Sequence, residues 1–542
     1  MYLNPSRITL ALVLTYVGGA QAFTFETENV SGNFDSTITF GTGIRTKNPS
    51  CDVVGVGATG AGAPGGCAAP GYGVGDQGDL NYKRGDAFTT YLKGTHELLL
   101  KLPDAWTFMG RVSWLKDFTA TSTTGYISSS NPTGQSLTDD ARSDLNFKPR
   151  LLDLWVSKEF DLGDQRARVR VGNQVISWGE SLFIPGGINQ TNSMDLMRLA
   201  QPGTQLKEVF LPAPIVSFAT GLGHGFNMEA YVQSKWNGNY FPPTGSYWSL
   251  VNGLGKGDSV YGIPTRNAKD GGQYGASLRW QPEGTQLNLG LYGMAYQDKS
   301  PQFSLAGGGP EWVYAEDRKM FGISANFPLG DWAIGSELSY RPKDAVALNF
   351  NTDGCAYNNG NCWVDEKKFQ WALTGMLSLT PSDYGGILKA LGGAQTATLL
   401  AEAVVVSYPG MHKSYGNDLV SAGGWSWGQL NSGAAGTPEP VGTKTSWGYN
   451  FDFSWTYDGT VVPGWQVTPE LYYFQAVKGY TPNAMATFME GAKSANIIVT
   501  FAQNPTKWQW AVNYGKFWGG GSVFSQPYKD RDFIGFYLSR NI

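Results

Sequence analysis

From Ser446 to Tyr457 aromatic side chains fall on every second position. Trp447, Tyr449, Phe451, Phe453, Trp455 and Tyr457 share one face, and Ser446, Gly448, Asn450, Asp452, Ser454 and Thr456 share the other. A period of two is that of a β-strand, whose successive side chains point to opposite faces. The pattern returns at Trp508, Trp510, Val512 and Tyr514, and at Leu287, Leu289 and Leu291. No helical layer intervenes to cover these apolar faces. The cover expected is lipid, and the fold expected is all-β, a transmembrane antiparallel β-barrel. A secreted β-sandwich or β-helix is the soluble alternative.

Strands are expected near 34–45, 88–102, 106–117, 151–161, 165–177, 208–220, 225–236, 273–281, 286–297, 311–327, 332–342, 369–380, 396–407, 445–457, 465–475, 491–503, 506–517 and 532–542. That is about 18 strands, with 16 as the alternative because Pro212 and Pro214 interrupt 208–220. Connections alternate in length. Pro103 to Ala105, Leu162 to Asp164, Gly221 to His224, Pro282 to Thr285, Pro328 to Asp331 and Asn504-Pro505 are short, whereas 46–87, 118–150, 178–207, 237–272, 343–368 and 408–444 are long. An outer-membrane barrel has short periplasmic turns and longer extracellular loops. One periplasmic connection, Ser382 to Ala394, is long enough for a turn or two of helix, capped by Ser382 and stopped at Gly392-Gly393.

The composition agrees with this picture and removes others. Of 542 residues 72 are Gly and 14% are aromatic, which suits tight turns and a crowded barrel wall. Mean hydropathy of -0.25 carries no weight, because the lumen face of a barrel cancels its lipid face. A net charge of -4 gives no footprint for nucleic acid. Residues 1–22 have the form of a signal peptide: Arg7, an apolar run from Ile8 to Val17, then Ala20-Gln21-Ala22. Residues 23–542 would then be the barrel, its surroundings outer-membrane lipid and lipopolysaccharide. Cys51, Cys67, Cys355 and Cys362 form two local pairs in an exported chain, and Cys51–Cys67 and Cys355–Cys362 are the expected disulfides among three possible connectivities. A zinc site is the alternative, disfavoured because no His lies near either pair. No cofactor motif is present.

Between the strands at 165–177 and 208–220 the alternation stops. Residues 178–207 include Trp178, Glu180 and Phe183, then Met194, Asp195, Met197 and Arg198 on a short helix that Ser193 could cap. A connection so apolar is expected to fold into the lumen as a constriction or plug, with these seven residues along the solute path. The run Gly172 to Asn189, followed by Gln201-Pro202-Gly203-Thr204-Gln205-Leu206-Lys207-Glu208, resembles the hallmark stretch of a proteobacterial outer-membrane family known as domain of unknown function 1302. Gly32-Asn33-Phe34-Asp35-Ser36 and Leu80-Asn81-Tyr82 resemble it too. The resemblance implies a large barrel that handles hydrophobic compounds, paired with an RND-type exporter and a periplasmic or lipoprotein partner. It carries over no catalytic residue.

Charges on lumen-facing positions are legible without the family. Arg166, Arg168 and Arg170 alternate with Ala167, Val169 and Val171, and the preceding strand offers Asp153, Ser157 and Glu159 opposite Leu152, Leu154 and Val156. Cross-strand pairing of the two rows is expected. Glu229, Tyr231, Gln233 and Lys235 also read inward, as do Glu337, Arg341 and Glu402. These charges either stiffen the wall or select an anionic or amphipathic solute. Trp178-Gly179-Glu180-Ser181-Leu182 lacks the second Gly of a nucleophile elbow. The three His are His96 in a strand, His224 in a periplasmic turn and His412 in an external loop, so a Ser-His meeting is not expected. The function expected is a channel for small hydrophobic or amphipathic compounds and not an enzyme. A general diffusion porin is the alternative, and an outer-membrane lipase or esterase a further one.

Overall fold

The computed structural model describes residues 23–53, 77–122, 124–125, 135–250, 253–257, 263–422, 441–503, 507–521 and 524–542. The expected signal peptide, Cys67 and the turn at 504–505 lie outside them. Eighteen strands form one closed antiparallel sheet: β1 Ser31–Arg45, β2 Ala87–Leu102, β3 Trp106–Asp117, β4 Lys148–Leu162, β5 Gln165–Gln174, β6 Ala213–Gly223, β7 Phe226–Gln233, β8 Gln273–Trp280, β9 Asn288–Tyr296, β10 Arg318–Leu329, β11 Trp332–Ala347, β12 Trp363–Leu379, β13 Thr396–Ser407, β14 Thr445–Val462, β15 Trp465–Lys478, β16 Ala492–Gln503, β17 Trp508–Gly519 and β18 Phe533–Asn541. Each pairs with the next in sequence, and β1 pairs with β18 from Thr37↔Asn541 to Arg45↔Phe533, which leaves no open edge in the barrel. Beyond that seam the short strand Phe23–Glu26 folds back on Ser31–Phe34, continuing the sheet where β18 ends.

The outer wall is apolar in the alternating positions. Leu154 and Val156 of β4, Val171 of β5, Val216 of β6, Phe321 and Ile323 of β10, and Trp371 and Leu373 of β12 are all exposed. Such side chains gain about 1.5–3 kcal/mol each on leaving water, so lipid is the solvent that makes this wall stable. Among the described residues no helix is long and apolar enough to cross a membrane. The strands alone span it.

Several boundaries differ from the sequence reading, each for a local reason. The strand expected at 208–220 begins at Ala213, because Leu206–Val209 is a helical turn and Phe210–Leu211 pairs with Ser193–Met194 instead. Pro214 is tolerated inside β6, opposite Asn173. The expectation at 311–327 divides: Glu311–Val313 belongs to a small sheet in an external loop, and β10 starts at Arg318. A register shift between Arg111 and Val112 leaves Leu152 as an extra residue in β4, buried and off the lipid-facing row assigned to it. The periplasmic helix is Pro381–Ala390, with Thr380 rather than Ser382 at its N-cap.

The largest buried apolar cluster lies in the long loops above the barrel and at the strand ends that carry them. It includes Phe303, Trp312, Tyr408, Met411 and Phe488, together with the Cys355–Cys362 disulfide. Cys51 is also disulfide-bonded. Because the strand ladder closes independently of this cluster, replacing Cys355 and Cys362 together by Ser should leave the heat-modifiable folded band on a gel intact. Loss of that band would show that the loop cap is needed for assembly.

Candidate functional site

Residues 175–212, joining β5 to β6, fold into the barrel, and the wall holds them by buried charges. Glu337 of β11 accepts backbone N–H groups from Glu180 at 2.6 Å, Ser181 at 3.1 Å and Ile188 at 2.9 Å. Glu402 of β13 accepts those of Leu182 at 3.1 Å, Phe183 at 2.8 Å and Ile184 at 2.9 Å, and the Ser181 hydroxyl also donates to it. Between these strands Gln370 of β12 donates to the Pro185 carbonyl at 3.2 Å, and Arg341 donates to that of Gly187 at 2.8 Å. A carboxylate accepting several backbone N–H groups satisfies donors that an irregular buried segment would otherwise leave unpaired. Glycine makes the approach possible: a Cβ on Gly187 would stand 1.9 Å from Glu337 Oε1, and one on Gly179, where φ is +96°, 2.4 Å from Oε2.

The rest of the segment reaches the opposite wall. The Trp178 indole donates to Glu229 of β7 at 2.8 Å and packs on Tyr231 and Tyr292. Asp195 pairs with Arg150 of β4 at 2.5 Å, and Arg198 donates to Ser113 of β3 at 3.1 Å. Farther on, Tyr91 and Lys93 of β2 donate to the carbonyls of Pro202 and Gly203, and Glu208 is held by Lys93 and Thr95. Phe183 meets Tyr472 of β15 with ring centroids 5.8 Å apart. The segment therefore crosses the lumen between its two walls.

The seven residues expected along a solute path are not brought together in one place. Trp178, Glu180 and Phe183 sit at the elbow under Glu337 and Glu402, and Met194 borders a cavity above it. Met197 instead packs against buried aromatic residues including Phe88 and Trp248, and Asp195 and Arg198 are buried in ion pairs. The helix is Leu196–Leu199, capped by Asp195, whose Oδ1 accepts the Arg198 N–H at 2.8 Å; Ser193 donates instead to the Asn237 carbonyl. The apolar side chains that the segment leaves uncovered are Leu182, Leu199 and Leu206, at 49%, 56% and 66% exposure.

The charged rows are only partly paired. Arg166 meets Glu159 at 3.3 Å, but Asp153 turns to Arg111 of β3 at 2.5 Å, and Arg170 lies over the Trp155 ring at 4.1 Å. Arg166 and Arg168 line a lumen cavity of about 330 Å³ at the short-turn end with Arg279, Glu159 and Glu229. Lys235 lies beyond the end of β7 at Gln233, whose side chain donates to the Lys235 carbonyl at 2.7 Å, and it is exposed. Across the barrel, Asp452 of β14 and Glu470 of β15 face one another.

Above the elbow a second cavity of about 150 Å³ is bordered by Phe183, Met194, Lys299 and Lys368. In the loop after β9, burial pushes the Lys299 ammonium down to about 7 and raises the Asp298 carboxyl to about 6.

One Ser-His meeting does occur, contrary to the sequence reading. Ser36 and His96 lie on the alternating positions of β1 and β2 that also carry Phe34 and Leu98, the outer wall, with Ser36 Oγ 2.7 Å from His96 Nδ1. Trp114 Nε1–H donates to His96 Nε2 at 3.0 Å. An indole can only donate, so the neutral ring carries its proton on Nδ1 and donates it to Ser36. That imidazole has no lone pair aimed at the serine proton, and the pair is not arranged as a nucleophile and its base.

Several solved barrels resemble the chain in fold at low identity. OccAB1 of Acinetobacter baumannii is 10% identical over 94% of this chain and 96% of that one, with a TM-score of 0.42. Pseudomonas aeruginosa OccK2, solved with glucuronate, is 10% identical over 94% and 98%, TM-score 0.41. Salmonella typhi OmpF, in complex with daunomycin, is 6% identical over 96% and 100%, TM-score 0.38. No curated protein matches. The family described as protein of unknown function (DUF1302) matches residues 4–542, so this transmembrane barrel, with its glycine-bearing segment folded into the lumen, belongs to that family.

Proposed function

We propose that the protein is an outer-membrane channel for small hydrophobic or amphipathic compounds, narrowed by residues 175–212. The observation that carries this is the apolar side chains left uncovered on a segment that polar contacts hold in the lumen: Leu182, Leu199 and Leu206 stay exposed. A surface kept apolar where water could reach it lowers the barrier for an apolar guest and does nothing for an ion. A periplasmic or lipoprotein partner and an RND-type exporter, implied by the family, belong to the same proposal.

Replacing Leu182, Leu199 and Leu206 together by Asn tests it. Entry of 2-phenylethanol into proteoliposomes should slow several-fold while potassium chloride conductance stays within twofold of the wild type. Unchanged entry would detach the apolar flank from transport.

A second reading, a general diffusion porin, has one observation in its favour. Arg166, Arg168 and Arg279 on β5 and β8 stand on the wall opposite Asp452 and Glu470 on β14 and β15, the separated charges that order water and ions across a pore. The two readings part on selectivity: a porin ranks solutes by size and charge, whereas an apolar path favours the less polar of two uncharged solutes of equal size.

A further inference from the structure

The cavity above the elbow has a charged end and an apolar end. Three cations, Arg318, Arg341 and Lys368, pair with three carboxylates, Asp298, Asp344 and Asp365, and Lys299 stands beside Asp298. Arg318 holds Asp365 at 2.7 Å and Asp298 at 3.6 Å, and the Tyr408 hydroxyl donates to Asp344 at 2.6 Å. Lys299 is spoken for by neutral oxygens, with the Asn237 carbonyl at 3.1 Å and Gln273 Oε1 at 3.4 Å. Lys368 is not. Its residue is 4% exposed, its nearest carboxylate, Asp344, is 3.8 Å away, and among the described residues its ammonium makes no hydrogen bond.

An ammonium this buried, with no hydrogen-bond acceptor among the described residues and one carboxylate at 3.8 Å that it shares with Arg341, has the capacity to hold a further anion. Gly186 keeps the way to it open: a Cβ there would stand 3.5 Å from Lys368 Nζ and 2.9 Å from Gln370 Oε1. The same cavity is bordered by Phe183, Met194, Phe210 and Met485, and it is lined by the segment that the lumen wall holds in place. A cavity of about 150 Å³ accommodates a body the size of a benzene ring.

We propose that this cavity is a binding site, on the long-loop side of the constriction, for a small organic monoanion with an apolar body of about one ring, its carboxylate on Lys368 and its body against Phe183, Met194, Phe210 and Met485. The proposal rests on the reading of the barrel as a channel for amphipathic compounds and names the headgroup of those it admits. Direct pairing of a buried ammonium with a carboxylate is the strong form of this contact. The soft, unbranched Met194 and Met485 let the apolar end accept bodies of differing shape.

Isothermal titration of the purified full-length barrel with phenylacetate, 2-phenylethanol and acetate tests it without requiring transport. Phenylacetate should bind at least tenfold more tightly than either 2-phenylethanol, which lacks the charge, or acetate, which lacks the ring. Lys368→Met should remove the preference for phenylacetate over 2-phenylethanol. Equal binding of the acid and the alcohol to the wild type, or a preference that survives in Lys368→Met, overturns the site. If that variant fails to give the folded band, the wild-type comparison of the three ligands decides alone. Absence of binding in a barrel whose liposomes still pass 2-phenylethanol removes the site and leaves the channel; binding without any permeation removes the channel and leaves the site.

Discussion

Excising residues 176–211 and closing the gap with a short Asn-Gly turn should raise single-channel conductance several-fold. Gln174 and Ala213 are paired across β5 and β6, so a tight hairpin turn can join them without moving either strand. The ladder on both sides is untouched, and the folded band on a gel should persist. What the excision removes is the body that crosses the lumen from Glu337 and Glu402 to Arg150 and Lys93. A barrel of this strand number is wide enough to hold water once its interior is emptied. The wall charges left behind, Glu337, Arg341 and Glu402, would then be hydrated rather than orphaned. Conductance equal to the wild type in a folded variant would show that the segment does not obstruct ions.

The second large effect is expected from the two carboxylates. Glu402→Ala leaves the backbone N–H groups of Leu182, Phe183 and Ile184 without their acceptor, and Glu337→Ala does the same to those of Glu180, Ser181 and Ile188. Hydrogen bonds to an ionised group are worth about 1.5–3 kcal/mol each, though such neighbours do not add simply. Loss of either should loosen the elbow by on the order of a few kcal/mol, seen as a fluctuating, raised current. Both carboxylates hold one short stretch, so once the first is gone the second has less left to fix. The double variant should therefore conduct nearly as well as the excision and gain less than the two single effects combined. A double variant with quiet, wild-type current would show that Gln370, Arg341 and the far contacts hold the segment unaided.

The barrel was legible because lipid on one side and a polar lumen on the other impose a period of two on every strand. All eighteen strands were recoverable from it, with errors where that constraint lapses. β11 runs on to Ala347 and β12 starts at Trp363, at the long-loop ends, where the chain packs on loops rather than lipid. Leu152 departs from the lipid-facing row because a bulge changes the period by one, which pattern alone does not reveal. The inward segment was legible from its broken alternation and apolar content. Its details were not. Ser193 and Asp195 are both good caps, and the Asn237 carbonyl, contributed by a distant loop, decides between them. Met197 has the chemistry of a lumen residue, but the direction it faces depends on where the wall lies. Glu337 and Glu402 sit on legible inward positions, yet their partners are backbone N–H groups, which leave no mark in sequence beyond the glycines that let them come close. The disulfide Cys355–Cys362 is legible from the local spacing of the two cysteines.

An apolar path through this barrel favours the less polar of two uncharged solutes of similar size. Entry of 2-phenylethanol and of xylose into the same proteoliposomes, each corrected for leakage through empty vesicles, tests it most directly. The barrel should speed 2-phenylethanol at least tenfold more than xylose. Equal acceleration of the two, or a larger one for xylose, would contradict it and leave a general diffusion porin.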